Sequence, residues 1–431
     1  MVNQINLIFT LPFVLMLATI AIFPLVLEFF WHKNLNKLLV SVSLSLPVIL
    51  WAFLTGYTHV MFDTLLFDYL PFIILIGSLF VISGGIHLDS NITSRPETNT
   101  IFLVLGAVLA SFLGTTGAAM LIVHPLIKIL NHRKYKTHTF LFLIAIVANT
   151  GGLLTPVGDP PLFMLFLRGA PFFWFLKLFP EWLFVNGLLI TIYFFIDRYY
   201  FRKEESELHH PNFKAMNFKV EGKLNFLWLL IVILAVVILT PQNFNIDSKI
   251  LSVIRDVIIV LMIISSLKFT SKKIRKSNNF GWHPIEEVAY LFLGIFITMI
   301  PCILYLESNA ATLAKNSPSF FYYISGFLSS FLDNTPTAVT MHSLAKGMVD
   351  ANPAVFTGNL VAGIPESFLK AISLGSVFFG SMTYIGNGPN FMIKAMAEHN
   401  GVKMPHFFEY IFKFSLIILL PIYILVQLLF I

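Results

Sequence analysis

Residues 149–164 read Asn-Thr-Gly-Gly-Leu-Leu-Thr-Pro-Val-Gly-Asp-Pro-Pro-Leu-Phe-Met, and residues 383–392 read Thr-Tyr-Ile-Gly-Asn-Gly-Pro-Asn-Phe-Met. Neither run can stay helical, because its glycines free the backbone while its prolines remove donors and obstruct the preceding carbonyls. Set side by side, Thr155–Met164 and Thr383–Met392 agree at Thr, Gly, Pro, Phe and Met, with Asp159 opposite Asn387. A second pair precedes them in the same order. Ser111–Ala118 is SFLGTTGA and Ser330–Ala338 is SFLDNTPTA. One such match could be chance in a chain rich in Gly and Pro. Two in register indicate an internal duplication.

The chain around these motifs is extremely apolar. Of 431 residues, 57% are hydrophobic and only 12% are charged, against roughly 25% charged in a soluble domain. Forty-six Phe add an aromatic load that an aqueous surface could not hide. The composition specifies an integral membrane protein whose partner is the lipid bilayer, and it excludes a soluble enzyme or a nucleic-acid-binding domain. The net charge of +6 therefore says less than the placement of its basic residues. The single cysteine, Cys302, excludes an internal disulfide or a thiolate cluster and reads as a small buried hydrophobe. The apolar run from Leu7 to Val26 lacks a basic leader and a cleavage site, so it reads as a retained first helix.

About 20 apolar residues are needed to cross a bilayer as a helix. Spans are expected near 7–30, 35–55, 65–88, 139–166, 172–197, 223–240, 252–267, 285–305, 370–393 and 407–431. Blocks 101–130 and 319–348 are long, with polar centres, and are expected to be re-entrant hairpins rather than single tilted helices; Pro336 would break a helix there. The expected fold is thus an all-α polytopic membrane protein. It is built as an inverted-topology repeat with two re-entrant hairpins and two discontinuous transmembrane helices. Residues 1–200 form the first half, 201–222 a cytoplasmic linker and 223–431 the second half.

With both hairpins returning to their starting side, nineteen of the 28 Lys and Arg fall on one face. They include the clusters Arg133–Lys136, Arg198–Lys223 and Lys268–Lys276. Only Arg168, Lys177, Lys249, Arg255, Lys315, Lys346 and Lys370 fall on or near the other. The positive-inside rule then puts both termini in the periplasm of a cell inner membrane. Halves that thread the membrane oppositely, each with a broken helix at the same place, point to a secondary transporter with its site near the midplane. No metalloprotease His pair, nucleophile elbow or phosphate loop suggests an enzyme.

Two carboxylates lie in the breaks. Asp159 and Asp333 are each followed by proline within three residues and could simply cap a helix. A carboxylate at that depth is nevertheless costly unless paired, coordinated or protonated. Alternation between those states would exchange Na⁺ (or Li⁺) for H⁺. The expected ion and proton ligands are Asp159, Asp333, Asn149, Thr150, Thr155, Asn334, Thr335, Asn387 and Asn390. Na⁺ itself would sit at Asp159, Asp333, Asn334 and Asn387. Ser111, Thr115, Thr116, Ser330 and Thr383 would add hydroxyls from the hairpins. Such an all-oxygen set suits a hard cation. No further cofactor is expected. Na⁺-coupled symport of citrate or another di- or tricarboxylate is the alternative. Helix N-termini favour an anion, but Arg168 is the one candidate cation and reads better as a boundary anchor. His124 and His342 are candidate proton relays that more simply read as packing residues.

At SFLGTTGAAMLIVHP (Ser111–Pro125), NTGGLLTPVGDPPLF (Asn149–Phe163), FLDNTP (Phe331–Pro336) and YIGNGPNFMIKAMAE (Tyr384–Glu398) the chain resembles the NhaD-type sodium/proton antiporters. It also resembles the neighbouring citrate transporters of the ion transporter superfamily. The resemblance implies an inner-membrane secondary transporter, a homodimer, with a scaffold part and a moving part, and it favours Na⁺/H⁺ antiport.

Overall fold

The computed structural model describes residues 5–90, 93–204, 218–241, 243–244 and 246–431. The chain is all-α apart from two short strand pairs, as expected where a bilayer offers the backbone no hydrogen bonds. Nine helices among the described residues are long and apolar enough to cross a membrane, so the molecule is a multi-pass membrane protein. Helices α1 (Leu11–Val26), α2 (Asn34–Thr55) and α3 (Thr58–Ser83) come first. Then α4 (Pro96–Leu113) and α5 (Thr115–Ile129) meet at a one-residue turn. The next segment is broken: α6 (Thr137–Ile146), a 3₁₀ turn at Thr150–Leu154, and α7 (Pro160–Leu167). Helix α8 (Phe179–Phe201) follows.

The second half repeats this order. Helices α9 (Leu224–Ile238), α10 (Ser248–Phe269) and α11 (His283–Ser308) lead to the pair α12 (Pro318–Phe331) and α13 (Asn334–Ala351). The broken segment is α14 (Glu366–Phe379), a 3₁₀ turn at Gly380–Met382, and α15 (Gly388–His399), and α16 (Phe407–Phe430) ends the chain. The two breaks have nearly the same backbone. Asp159 is at φ −142°, ψ 139° and Asn387 at φ −149°, ψ 139°. Thr155 is at φ −144°, ψ 157° and Thr383 at φ −140°, ψ 168°. The two turns differ: Gly114 has φ 75°, which favours glycine, whereas Asp333 at φ −57° needs none.

Packing sorts these helices into two bundles. Helices α1–α3 and α9–α11 pack on one another, while α4–α8 and α12–α16 form the second, more buried bundle. They meet where α11 lies on α13 and α3 lies on α5 and α7. Polar ties mark the molecule's two ends. Asp68 pairs with Arg168, Lys177 with Glu366 and Lys370 with Glu181 at one end. The Phe430 ring packs edge-on against Phe184 there, and Ile5 packs near Trp51 and Met61, so the first and last described residues lie at this end. At the other end Arg133 and His138 each reach Asp197 at 2.8 Å.

In the stretch 201–222, expected to be linker, Phe201 is the last residue of α8, and β2 (Phe218–Glu221) pairs antiparallel with β1 (His87–Ser90). Residues 205–217 of that expected linker lie outside the described residues.

Candidate functional site

Asp159 is the N-cap residue of α7, yet its carboxylate makes no capping bond: Pro160 and Pro161 carry no N–H, and Leu162 N donates to the Asp159 backbone carbonyl at 3.0 Å. The side chain, 1% exposed, turns instead toward the other three motifs. Thr115 Oγ1, at the tip of the α4–α5 pair, donates to Asp159 Oδ1 at 2.9 Å. Asn334 Nδ2, at the tip of the α12–α13 pair, donates to Oδ2 at 2.7 Å. Asn387 Nδ2, in the second break, reaches Oδ1 at 3.4 Å. One carboxylate thus joins elements more than 200 residues apart in sequence. No Lys or Arg among the described residues forms an ion pair with it.

The cost of that buried charge is met by dipoles. Helices α5, α7, α13 and α15 all begin at this cluster, at Thr115, Pro160, Asn334 and Gly388. Their N-terminal ends carry partial positive charge. Asp333 behaves differently. It does cap its helix, accepting from Thr335 N at 2.9 Å, and its carboxylate is a like-charged neighbour of Asp159. The two acids are therefore not equivalent.

The remaining expected ligands separate by what they touch. Asn149 extends the amide chain, with Nδ2 donating to Asn390 Oδ1 at 2.8 Å and Oδ1 accepting from Asn387 at 3.3 Å. Asn390 in turn closes the second break by donating to Gly380 O and Thr383 O. Asn334 Oδ1 and Thr335 Oγ1 are buried without a partner, each costing about 1–3 kcal/mol. Four groups are used to hold backbone. Thr155 Oγ1 donates to Ser111 O, and Thr383 Oγ1 to Ser330 O, the same bond in each half. Ser111 Oγ donates to Gly151 O at 2.6 Å and Ser330 Oγ to Gly326 O at 2.8 Å. Thr150 faces away, donating to Asn186 Oδ1 at 2.7 Å, so it is not brought to the carboxylate. Thr116, half-buried, lines a small cavity beside Gly114, Val157 and Phe163.

His124 and His342 are not brought to this cluster either; His342 Nε2 lies 2.9 Å from Ala362 O near one end. Arg168 is tied to Asp68 at 3.3 Å, as a boundary residue. Arg255, which the sequence reading placed by its charge near one membrane face and not in the site, is 4% exposed inside α10. Its distance from any motif hid it, although an Arg within an apolar span is itself a signal. Among the described residues no group of His, Cys, Asp and Glu could hold a metal ion, so a cation at Asp159 would rely on amide and hydroxyl oxygens.

A multi-pass bundle with a carboxylate at the junction of four broken or turning elements has the makings of a membrane-embedded secondary transporter rather than an enzyme. The chain belongs to the family described as Putative citrate transport, whose profile matches residues 2–431. No curated protein gives a significant match. The family corrects the resemblance to the NhaD-type antiporters. The motifs that suggested it describe how helices break around a midplane site, which transporters of more than one family need, and so could not separate one family from another.

Proposed function

We propose that the protein is a Na⁺-coupled symporter that carries citrate, or another di- or tricarboxylate, across the inner membrane by alternating access. The observation that carries this reading is the family match over residues 2–431, which outweighs the antiport first suggested by motif. The site is compatible with it. Asp159, Asn334, Asn387 and the unpartnered Asn334 Oδ1 and Thr335 Oγ1 would hold Na⁺, with Asp333 adding charge. The four helix N-termini would attract the substrate carboxylates once Na⁺ neutralises Asp159.

The matched order of elements and the matched Thr155 and Thr383 bonds support two halves, 1–200 and 223–431, related as an inverted repeat. On this reading the α4–α5 and α12–α13 pairs are re-entrant from opposite sides, and the excess of basic residues places both termini in the periplasm. Exposed Leu39, Phe53, Leu54 and Leu261 would face lipid or a second copy in a homodimer. Purified protein in proteoliposomes tests the function. Labelled citrate should accumulate with an inward Na⁺ gradient and not with K⁺. Na⁺-driven alkalinisation or acidification of the lumen with no citrate uptake would overturn the reading.

A further inference from the structure

A cavity of about 390 Å³ lies away from Asp159 at the end that carries Asp68 and Arg168. That volume falls in the range of small-molecule sites, roughly 300–1,000 Å³. Its walls come from both bundles: α3, the end of α7, the end of α9 and the start of α10. In α3 the stretch Thr64–Tyr69 is π-helical, and Thr64, Phe67 and Asp68 from it line the cavity. Such widened turns recur at functional sites.

Two cations line this space. Lys249 Nζ is held by Asp63 at 2.7 Å. Arg255 lies two turns inside α10, where an ionised side chain is expensive and normally functional. Its only carboxylate partner among the described residues is Asp256, through Nε at 3.3 Å, while Nη2 donates to Ser252 at 2.8 Å. The forked edge of the guanidinium is therefore not matched to a carboxylate. That edge is what an arginine offers a carboxylate ligand in two parallel bonds. The guanidinium also lies 5.8 Å over the ring of Phe163. Phe163 lines the small cavity beside Thr115 and Pro160, and belongs to α7, the helix that begins directly after Asp159. It thus stands between the outer cavity and the carboxylate cluster.

We propose that this cavity is a polycarboxylate-binding anteroom, with Arg255 as the bidentate anchor for one carboxylate and Lys249 for a second. The proposal deepens the symport reading and rests on it. Asp63 holds Lys249 when the cavity has no anion, and the arriving polyanion competes with it. The signs of three substitutions follow. Arg255→Lys keeps the charge and loses the fork, so KM for citrate should rise about tenfold. Lys249→Gln should raise it less. Asp63→Asn removes the competitor and should lower KM, which a merely structural ion pair would not do.

The test separates this site from the central one. In a Cys302→Ala background, Ser248→Cys places a thiol on the cavity wall, and its labelling by a membrane-impermeant maleimide is timed with and without citrate. The same measurement is made with Asp159→Asn, which should not complete transport. Citrate should slow labelling in both backgrounds, and Arg255→Gln should abolish the protection. Labelling unaffected by saturating citrate in both backgrounds, or KM values unmoved by all three substitutions, overturns the anteroom. Absence of citrate uptake by the unsubstituted protein overturns the symport reading alone, since protection of the thiol is read independently of transport.

Discussion

Asp159 and Asp333 show how far a residue's role depends on what surrounds it. Both precede a helix, and both could be read from sequence as caps. Only Asp333 caps, and Asp159 is shared by Thr115, Asn334 and Asn387 instead. The prolines after Asp159 were visible in sequence, but the three partners come from distant motifs and were not. On the proposed mechanism Asp159→Asn keeps the shape and removes the charge that holds Na⁺. Na⁺-driven citrate uptake should fall at least about a hundredfold, the equivalent of roughly 2.7 kcal/mol of lost coordination, with unchanged elution of folded protein on size exclusion. Full uptake by this variant would remove the carboxylate from the mechanism. Asp333 allows a sharper split. Asn caps a helix about as well as Asp, whereas Ala loses about 1 kcal/mol. Asp333→Asn should therefore leave thermal stability unchanged and weaken the apparent Na⁺ affinity, whereas Asp333→Ala should lose both. Equal Na⁺ affinity in Asp333→Asn and the unsubstituted protein would leave Asp333 a cap and nothing more.

At the scale of elements, the breaks depend on glycines that let two strands of backbone touch. A Cβ on Gly158 would lie 2.2 Å from Gly152 O, and one on Gly386 would lie 2.5 Å from Gly380 O. Those atoms are backbone and cannot rotate away. Gly158→Ala and Gly386→Ala should each destabilise the protein by about 1–3 kcal/mol, in the range of other overpacked sites, and lower the melting temperature in detergent. Gly388→Ala, which meets nothing within 4 Å, is the matched control and should melt like the parent. If all three melt alike, close backbone approach is not what shapes the breaks. These elements were the most legible part of the sequence. Gly and Pro act locally, so Thr155–Pro161 and Thr383–Pro389 could be recognised as breaks without knowing their neighbours. The pairing of β1 with β2 was not legible, because each strand is four residues long and its partner lies more than 120 residues away. Nor was Thr150, whose position in a polar run suggested a ligand and whose hydroxyl in fact meets Asn186 of α8.

At the scale of the molecule, apolar length specified the membrane, but not how many helices are long enough to cross it, nine among the described residues, nor which of them pack together. That sorting depends on side chains facing one another across the bundle, where every candidate face is about equally apolar. The structure resolves it: α1–α3 and α9–α11 form one bundle, and the elements around Asp159 form the other. If alternating access moves the second bundle against the first, their contact must slide. Ser83, at the end of α3, and Gly117, in the first turn of α5, face each other across it. A Cβ on Gly117 would lie 3.0 Å from Ser83 Cβ, just under the roughly 3.5–4.5 Å of a disulfide, so a small adjustment would admit one. In a Cys302→Ala background, the Ser83→Cys, Gly117→Cys pair should cross-link on oxidation and stop citrate uptake, and reduction should restore it. Each single substitution, oxidised in the same way, controls for damage by the oxidant and for loss of the glycine. A cross-linked protein that transports at the rate of its reduced form would mean that this contact stays fixed through the cycle, and that the two bundles seen in the packing are not the two parts that move.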